Sequence, residues 1–458
     1  MGAVLCLFGA GAAVAQSELP QPTGTPLSID FGQDPILNLA RREAANDLFR
    51  ATVAAAVRRH PATDESRAGI DEAGAGLEGA RESRYPSVDI QVSTYRVISR
   101  EFSDDPNNII ERSRAPTRTD ALMSVQQTLL DFGAGSGRVR AAGARLRAAG
   151  ADLEATADRV ALSTIAGWYD VFGYRALTQL SEAYVNSLRE MREAVQMRID
   201  EGVSAQGDLA QADLYIARAE TRLAQFRRQL ANAEATFAAW TGMPVPEVLD
   251  RAPTPALHIA TRDDAELAAA EVATVRSAEA SAEAARQEAR SARAERLPQI
   301  TAGIEAGRYG VFETDRDYDV RGRVGLRYRL FGGTDPRAEE YSARARSASA
   351  RADRIREEAE RDAMIALSDV QALEQQLRAL ESSYMSSRRS RDVIIERFRV
   401  ARGTLFDVAI AEDAYFDSAT AYIQSLTELD AARYVLLSRT GRLLDTLDIA
   451  PISLGRHE

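Results

Sequence analysis

A period of two in the hydrophobic pattern appears once in each half of the chain. Val88, Ile90 and Val92 alternate with polar residues. In the second half the apolar members alternate with four arginines: Arg321, Arg323, Arg327 and Arg329. Such alternation predicts strands with one apolar and one polar face. We predict one strand pair in each half, at roughly 87–101 with 119–131 and at 299–312 with 318–331.

Apolar residues at steps of three and four predict a helix before each strand pair. The first runs from about 44 to 84 and the second from about 264 to 296. Tyr85-Pro86 closes the first and Leu297-Pro298 the second, because proline cannot continue a helix.

A much longer helical pattern follows each strand pair. As a continuous helix, residues 136–200 would extend about 95 to 100 Å at 1.5 Å per residue. Both long patterns have seams like those of coiled coils. Short breaks at 201–207 and 401–406 precede returning helices, which end beside Gly242 and Gly441.

These helical segments repeat at a constant offset. Asp208 and Asp407 lie 199 residues apart, and many identities keep that register. They include Arg138/Arg337, Arg145/Arg344, Arg147/Arg346, Asp170/Asp369, Arg198/Arg397 and Ala212/Ala411. A constant offset requires elements of matched length, so we predict one architecture built from two similar halves.

The resulting division of the chain has six parts. They are a signal peptide at 1–15, a tether at 16–43, a first repeat at 44–242, a Pro-rich linker at 243–263, a second repeat at 264–445 and a tail at 446–458. An apolar stretch followed by Ala13-Val14-Ala15 is typical of a secretory signal. No later run approaches about 20 apolar residues, so no transmembrane helix is predicted.

Composition removes several function classes. The net charge of −11 disfavours nucleic acid as a partner. The single cysteine, Cys6, lies inside the signal peptide, and His60, His258 and His457 are far apart in the sequence. No phosphate-binding motif occurs. We therefore predict no enzyme, no catalytic residues, no metal site and no cofactor.

Together, these features resemble the TolC family of outer-membrane efflux and secretion proteins over roughly residues 44–445. The motifs that carry the resemblance are Tyr85-Pro86, Leu297-Pro298, Thr128-Leu129-Leu130-Asp131-Phe132-Gly133, Leu330-Phe331-Gly332-Gly333, Gly202 with Asp208 and Ala212, and Gly403-Thr404-Leu405-Phe406-Asp407 with Ala411.

The resemblance implies a mostly α-helical fold with membrane β-strands, assembled as a homotrimer. Each chain would supply four strands to one 12-stranded barrel in the outer-membrane lipid and its helices to a periplasmic tunnel. Four strands cannot close a barrel alone, and lipid does not tolerate open sheet edges, so a shared barrel is also the physical expectation. The location implied is the outer membrane of a Gram-negative cell.

The implied partners are a periplasmic adaptor (membrane-fusion) protein, an inner-membrane ABC or RND transporter and the exported substrate. The Gly-Thr-Leu-Phe-Asp tip favours protein export by type I secretion. Small-molecule or drug efflux is the alternative. A soluble periplasmic coiled-coil adaptor is the alternative from another class, although such a protein is expected to carry one hairpin rather than two.

The resemblance also implies a periplasmic gate at the helix tips. Asp407 matches an aspartate-ring position, and Asp208 matches its acidic partner. Phe398 takes the place of a tyrosine, Gly403 that of an arginine with Arg402 one residue earlier, and Ile410 that of a second ring aspartate. The competing interpretation is that Asp208 and Asp407 only cap the returning helices.

Two further sets of candidate residues follow. The tips predicted to dock the adaptor or pump comprise Gly202, Val203, Ser204, Gly403, Thr404 and Leu405. The predicted barrel lumen contains Arg321, Arg323, Arg327 and Arg329, because a charge on the lipid face costs about 2–4 kcal/mol near the midplane. These arginines form either a wall with ion pairs to Asp89 or Glu305, or a positive exit collar that favours anions or acidic polypeptides.

Overall fold

The computed structural model describes residues 20, 22–101, 113, 115–202, 204–247, 249–257, 259–314, 317–329, 332, 334–400 and 402–449. The predicted signal peptide, most of the first strand connection and the predicted tail beyond residue 449 lie outside these residues. The elements in chain order are α1 Pro35–Leu39, α2 Asn46–Arg59, α3 Pro61–Glu82, β1 Ser87–Arg96, β2 Thr117–Leu130, α4 Ala134–Asp200, α5 Gln206–Thr241, α6 Arg262–Ala269, α7 Ala273–Ala294, β3 Gln299–Tyr309, β4 Tyr318–Arg327, α8 Thr334–Arg399, α9 Leu405–Arg439 and α10 Leu443–Thr446. The predicted fold class, mostly helical with a small sheet, is confirmed.

The helix before each strand pair differs from the prediction, because it is divided in two. His60 has extended backbone angles between α2 and α3, and Pro61 begins α3. Proline disfavours the helical conformation in the residue before it and has no N–H to donate. The second copy is also divided, with Val272 in extended conformation before α7, although Ala273 rather than a proline follows it.

The strands form one antiparallel sheet in the order β1-β2-β3-β4. Ser124 is the Cα partner of both Asp89 and Glu305, and Glu305 is in turn the partner of Arg321. Side chains at partnered positions share a face, so this register puts the polar alternates of all four strands on one face. The opposite face is apolar and exposed; its members include Val88, Ile90, Val92, Met123, Ile304, Val320, Val324 and Leu326.

The sheet belongs to a compact unit formed by residues 64–156 and 270–359. Small side chains line its helix contacts: Ala285 and Ala289 of α7 are buried beside Ala345 of α8. A Cβ on Gly137 would lie 3.0 Å from the Cβ of Ser291, so α4 and α7 approach each other closely there. The Ser291 hydroxyl also donates to the carbonyl of Ala134 at 2.8 Å.

A second unit takes residues up to 63 together with 157–269 and 360–449. One of its cores surrounds Trp168, which stacks edge-on against Phe49 at 5.3 Å between ring centroids. Another core contains Tyr184 and Phe416, which stack at 4.5 Å. Both cores therefore join the first long hairpin, α4–α5, to the second, α8–α9.

Buried charges attach the N-terminal segment to this unit. Asp34 accepts hydrogen bonds from the backbone N–H groups of Ile36 and Leu37, so it caps α1. The same carboxylate pairs with Arg388 and accepts the Tyr384 hydroxyl at 3.0 Å. Within the described residues, no helix combines the length and apolarity needed to cross a membrane.

Candidate functional site

The tip of the second hairpin is a complete capping box. Thr404 Oγ1 accepts the backbone N–H of Asp407 at 3.2 Å, and Asp407 Oδ2 accepts the backbone N–H of Thr404 at 3.1 Å and its hydroxyl at 2.7 Å. These donors hold the pKa of Asp407 below its usual value. The cap geometry proposed as the alternative role of Asp407 is therefore present.

The tip of the first hairpin has only half of that box. Asp208 Oδ2 accepts the backbone N–H of Ala205 at 3.2 Å, but Ala205 has no side-chain oxygen to return the contact. Gly202 makes the turn with φ of 76°, a left-handed conformation that favours glycine. The two tips are thus equivalent in register but differ in their cap hydrogen bonds.

One contact joins the two hairpins in the tip region. Arg198, near the end of α4, donates from Nη2 to the carbonyl oxygen of Phe398 at 2.6 Å. Its guanidinium carbon lies 3.9 Å from the centroid of the Phe398 ring, a distance suited to a cation–π interaction. Phe398 itself is 7% exposed. Arg198 of the first hairpin therefore contacts both the backbone and the ring of Phe398 on the second.

Gly403 lies beside Phe398 in the same cluster. A Cβ at this position would lie 3.4 Å from the backbone nitrogen of Phe398. Arg402 follows the end of α8 and donates its backbone N–H to Arg397 at 2.9 Å. Its side chain lines a cavity of about 1000 Å³ together with residues 24–28 of the N-terminal segment.

The remaining tip candidates are placed as follows. Ile410 and Phe406 are exposed on α9, and Leu405 is buried. Ser204 donates its backbone N–H to Arg198 at 3.3 Å. Val203 lies outside the described residues.

The arginine strand lies at one edge of the sheet, with Arg329 just after its end. Arg323 reaches Glu305 at 3.7 Å, one of the two ion pairs expected for this strand. Arg321 pairs with Asp319 of its own strand instead. Asp89 is on β1 at the opposite edge, so within one chain the sheet order separates it from the arginines.

Sequence reasoning missed two contacts that the duplication had already marked. Arg138 and Arg337 are repeat-equivalent, and both approach the same carboxylate, Glu295, at 3.4 and 3.5 Å. Arg198 and Arg397 are also repeat-equivalent, but Arg198 is the one that contacts Phe398. The identity of these arginines between the two repeats was the available sequence signal for their importance. No sequence signal pointed to their partners, Glu295 and Phe398. Among the described residues, no group of three or more His, Cys, Asp or Glu side chains could hold a metal ion.

Comparison with known proteins agrees with this architecture. Residues 52–243 match the family model described as "Outer membrane efflux protein". The outer membrane protein VceC from Vibrio cholerae matches with a TM-score of 0.75 and 18% identity, covering 87% of this chain and 99% of its own. This chain has the outer-membrane efflux channel fold.

Two other channel structures support the same fold. The Campylobacter jejuni CmeC outer membrane channel matches with a TM-score of 0.75 and 15% identity, covering 96% of this chain and 94% of its own. The open state of the Neisseria gonorrhoeae MtrE outer membrane channel matches with a TM-score of 0.72 and 16% identity, covering 86% and 89%. No curated protein sequence matches the chain. The resemblance inferred from the motifs is confirmed for the efflux channel fold and for residues 52–243.

Proposed function

We propose that this chain is one subunit of a homotrimeric outer-membrane channel that exports substrates from the periplasm. The observation that carries the proposal is the two-faced sheet. Its exposed face is apolar on all four strands, and its opposite face carries Asp89, Glu305 and the arginines of β4. An exposed apolar sheet face suits lipid, and a charged face suits a water-filled lumen.

Strand length and sheet edges support the same assignment. The strands contain 10, 14, 11 and 10 residues, and about 9–11 tilted residues cross a bilayer. Within the described residues, β1 and β4 each have one neighbouring strand. Pairing β4 of one subunit with β1 of the next would satisfy both edges, and three copies would close a twelve-stranded barrel.

The helix tips support roles in gating and docking. The Arg198–Phe398 contact joins the hairpins beside the two predicted gate aspartates, Asp208 and Asp407. The turns that follow, at Gly202 and at residues 403–405, would meet a periplasmic adaptor and an inner-membrane transporter. In this assignment the tips lie in the periplasm, and energy for export comes from the transporter.

For the substrate, we propose protein export by type I secretion. The support is the Gly-Thr-Leu-Phe-Asp tip and an arginine-bearing polar face suited to an acidic polypeptide. The second candidate is small-molecule efflux, and its support is the word efflux in the description of the family model that matches residues 52–243.

Two measurements test the channel function and the substrate class separately. Detergent extraction from outer membranes as a trimer, with discrete conductance steps in planar bilayers, is expected for a channel. Recovery from the soluble periplasm would instead favour an adaptor. Deleting the gene and comparing the secretome with drug susceptibility separates the substrates: loss of a secreted protein with unchanged drug tolerance supports type I secretion, and the reverse supports efflux.

A further inference from the structure

A cavity of about 240 Å³ lies where β3 and β4 meet the helices of the same unit. Four arginines line it, Arg138, Arg327, Arg329 and Arg337, and its lining includes a single carboxylate, Glu295. We propose that this arginine pocket binds the phosphate or carboxylate group of an anionic substrate in transit. The proposal rests on the channel function and names a substrate class for it.

The charges of the arginine pocket are unbalanced. Glu295 Oε1 lies 3.4 Å from Arg138 and Oε2 lies 3.5 Å from Arg337, so one carboxylate is shared by two arginines at long distances. In the described part of the chain, no carboxylate is within ion-pair distance of Arg327 or Arg329. Four guanidinium groups around one carboxylate repel one another, and a bound anion would relieve that repulsion.

The chemistry of the pocket favours an oxyanion. A guanidinium presents a planar fork of N–H donors that matches carboxylate and phosphate oxygens two at a time. Gln299 also lines the pocket and adds an amide that can donate. The volume is several times the roughly 30 Å³ that one water occupies in the liquid. A single anionic group fits such a space, whereas a folded domain does not.

The position of the pocket favours a substrate over a lipid. Arg327 is the Cα partner of Gln299, so both lie on the polar face of the sheet. The apolar face, with Val324 75% exposed, is on the other side. A lipid headgroup would approach from the apolar side, and an anion in the lumen would approach from the polar side.

Calorimetry on the purified full-length protein in detergent, with inorganic phosphate as the probe, tests the pocket. The double variant R327Q/R329Q is expected to weaken phosphate binding at least about tenfold, because two charge-assisted contacts are lost. The matched control is R321Q/R323Q, which removes two arginines of the same strand that already have carboxylate partners. This control is expected to change binding less than about twofold. E295Q is expected to strengthen binding, because it removes the competing carboxylate.

Three results would overturn the proposal: no phosphate binding by the wild type, an equal loss in both double variants, or weaker binding in E295Q. Vesicles containing phosphatidylglycerol form a separate arm. Lipid binding that requires Arg327 and Arg329 and is not displaced by phosphate would assign the arginine pocket to a headgroup and contradict a substrate role. Thermal unfolding of each variant checks that the fold is kept. Failure to conduct in bilayers would refute the channel function, whereas the calorimetry reports on the pocket alone.

Discussion

Arg198 donates a 2.6 Å hydrogen bond to the carbonyl oxygen of Phe398, and its guanidinium carbon lies 3.9 Å from the centroid of the Phe398 ring. One side chain of the first hairpin therefore makes both a directional and a cation–π contact with the second. Because the two contacts involve the same residue pair, a single substitution removes both.

We predict that Arg198→Ala loosens the tip region. Loss of a charged hydrogen bond and a cation–π contact is expected to cost about 2–3 kcal/mol. In the proposed channel the same variant raises single-channel conductance in planar bilayers. Arg192→Ala is the control, because Arg192 pairs with Asp213 inside the first hairpin. Equal conductance changes in the two variants would assign the effect to surface charge.

The capping box at the second tip predicts a difference in stability between matched variants of the two tips. Thr404→Ala removes the side-chain acceptor at the start of α9 and is expected to cost about 1 kcal/mol. Ser204→Ala, at the other tip, is the control and is expected to leave the unfolding midpoint unchanged.

Substitution of Asp407 distinguishes a helix-capping role from a role in the gate. Its lowered pKa means that its contribution to stability is present above the ordinary aspartate range and is lost as the pH falls through the folded value. Asp407→Asn keeps an acceptor oxygen but removes the charge. We expect this variant to stay folded while its conductance becomes less sensitive to multivalent cations. An unchanged cation response would leave Asp407 as a cap alone.

The backbone of Gly202 predicts separate effects on stability and export. Gly202→Ala forces a side chain into a left-handed conformation and is expected to cost about 1–2 kcal/mol. Gly202→Arg is expected to abolish export while trimers still assemble, because the turn faces the proposed partners. Gly74→Arg is the control, since a Cβ at Gly74 of α3 also meets open space. Normal export by Gly202→Arg would place docking elsewhere.

Asp34 predicts how the N-terminal segment is retained. This carboxylate is buried, caps α1 and pairs with Arg388. Asp34→Ala leaves Arg388 buried without its partner and is expected to cost about 3–5 kcal/mol. Limited proteolysis is then expected to cut the segment before α1. Asp30→Ala is the control, because Asp30 is an exposed cap of a single helical turn. Equal protection of Asp34→Ala and the control would contradict this role.

The buried carboxyl of Glu412 predicts that stability declines as the pH rises above the ordinary glutamate pKa. Burial raises the pKa of this carboxyl, which accepts a hydrogen bond from Ser187 and also faces Arg391, Asp392 and Glu190. A group with a raised folded pKa contributes stability that is present below the ordinary glutamate pKa and lost as the pH rises through the folded value. Glu412→Gln is expected to flatten the decline in the unfolding midpoint above that range. A parallel decline in both proteins would exclude Glu412 as its source.

Local sequence patterns predicted the elements well because their causes are local. Alternation around Val88 and Val324 placed strands, and glycines and prolines placed most ends. The one helix predicted at 44–84 was wrong because the effect of Pro61 on His60 was given too little weight against continuous helical periodicity. The predicted ion pair of Glu305 was found with Arg323. Arg323 is a diagonal neighbour of Glu305 on the same face, because the directly opposite residue, Arg321, pairs with Asp319 instead.

The sequence by itself determined the duplicated order of elements, the two-faced strands and the resemblance to an outer-membrane channel, because these depend on residues near one another in the chain. Only the tertiary structure decided that Arg138 and Arg337 share Glu295, that Arg198 contacts Phe398, and that Arg327 and Arg329 join the first pair around one cavity. The Glu295 and Phe398 contacts join residues 42 to 200 positions apart along the chain. Their partners are chosen by how helices and strands pack, which periodicity within one element does not record.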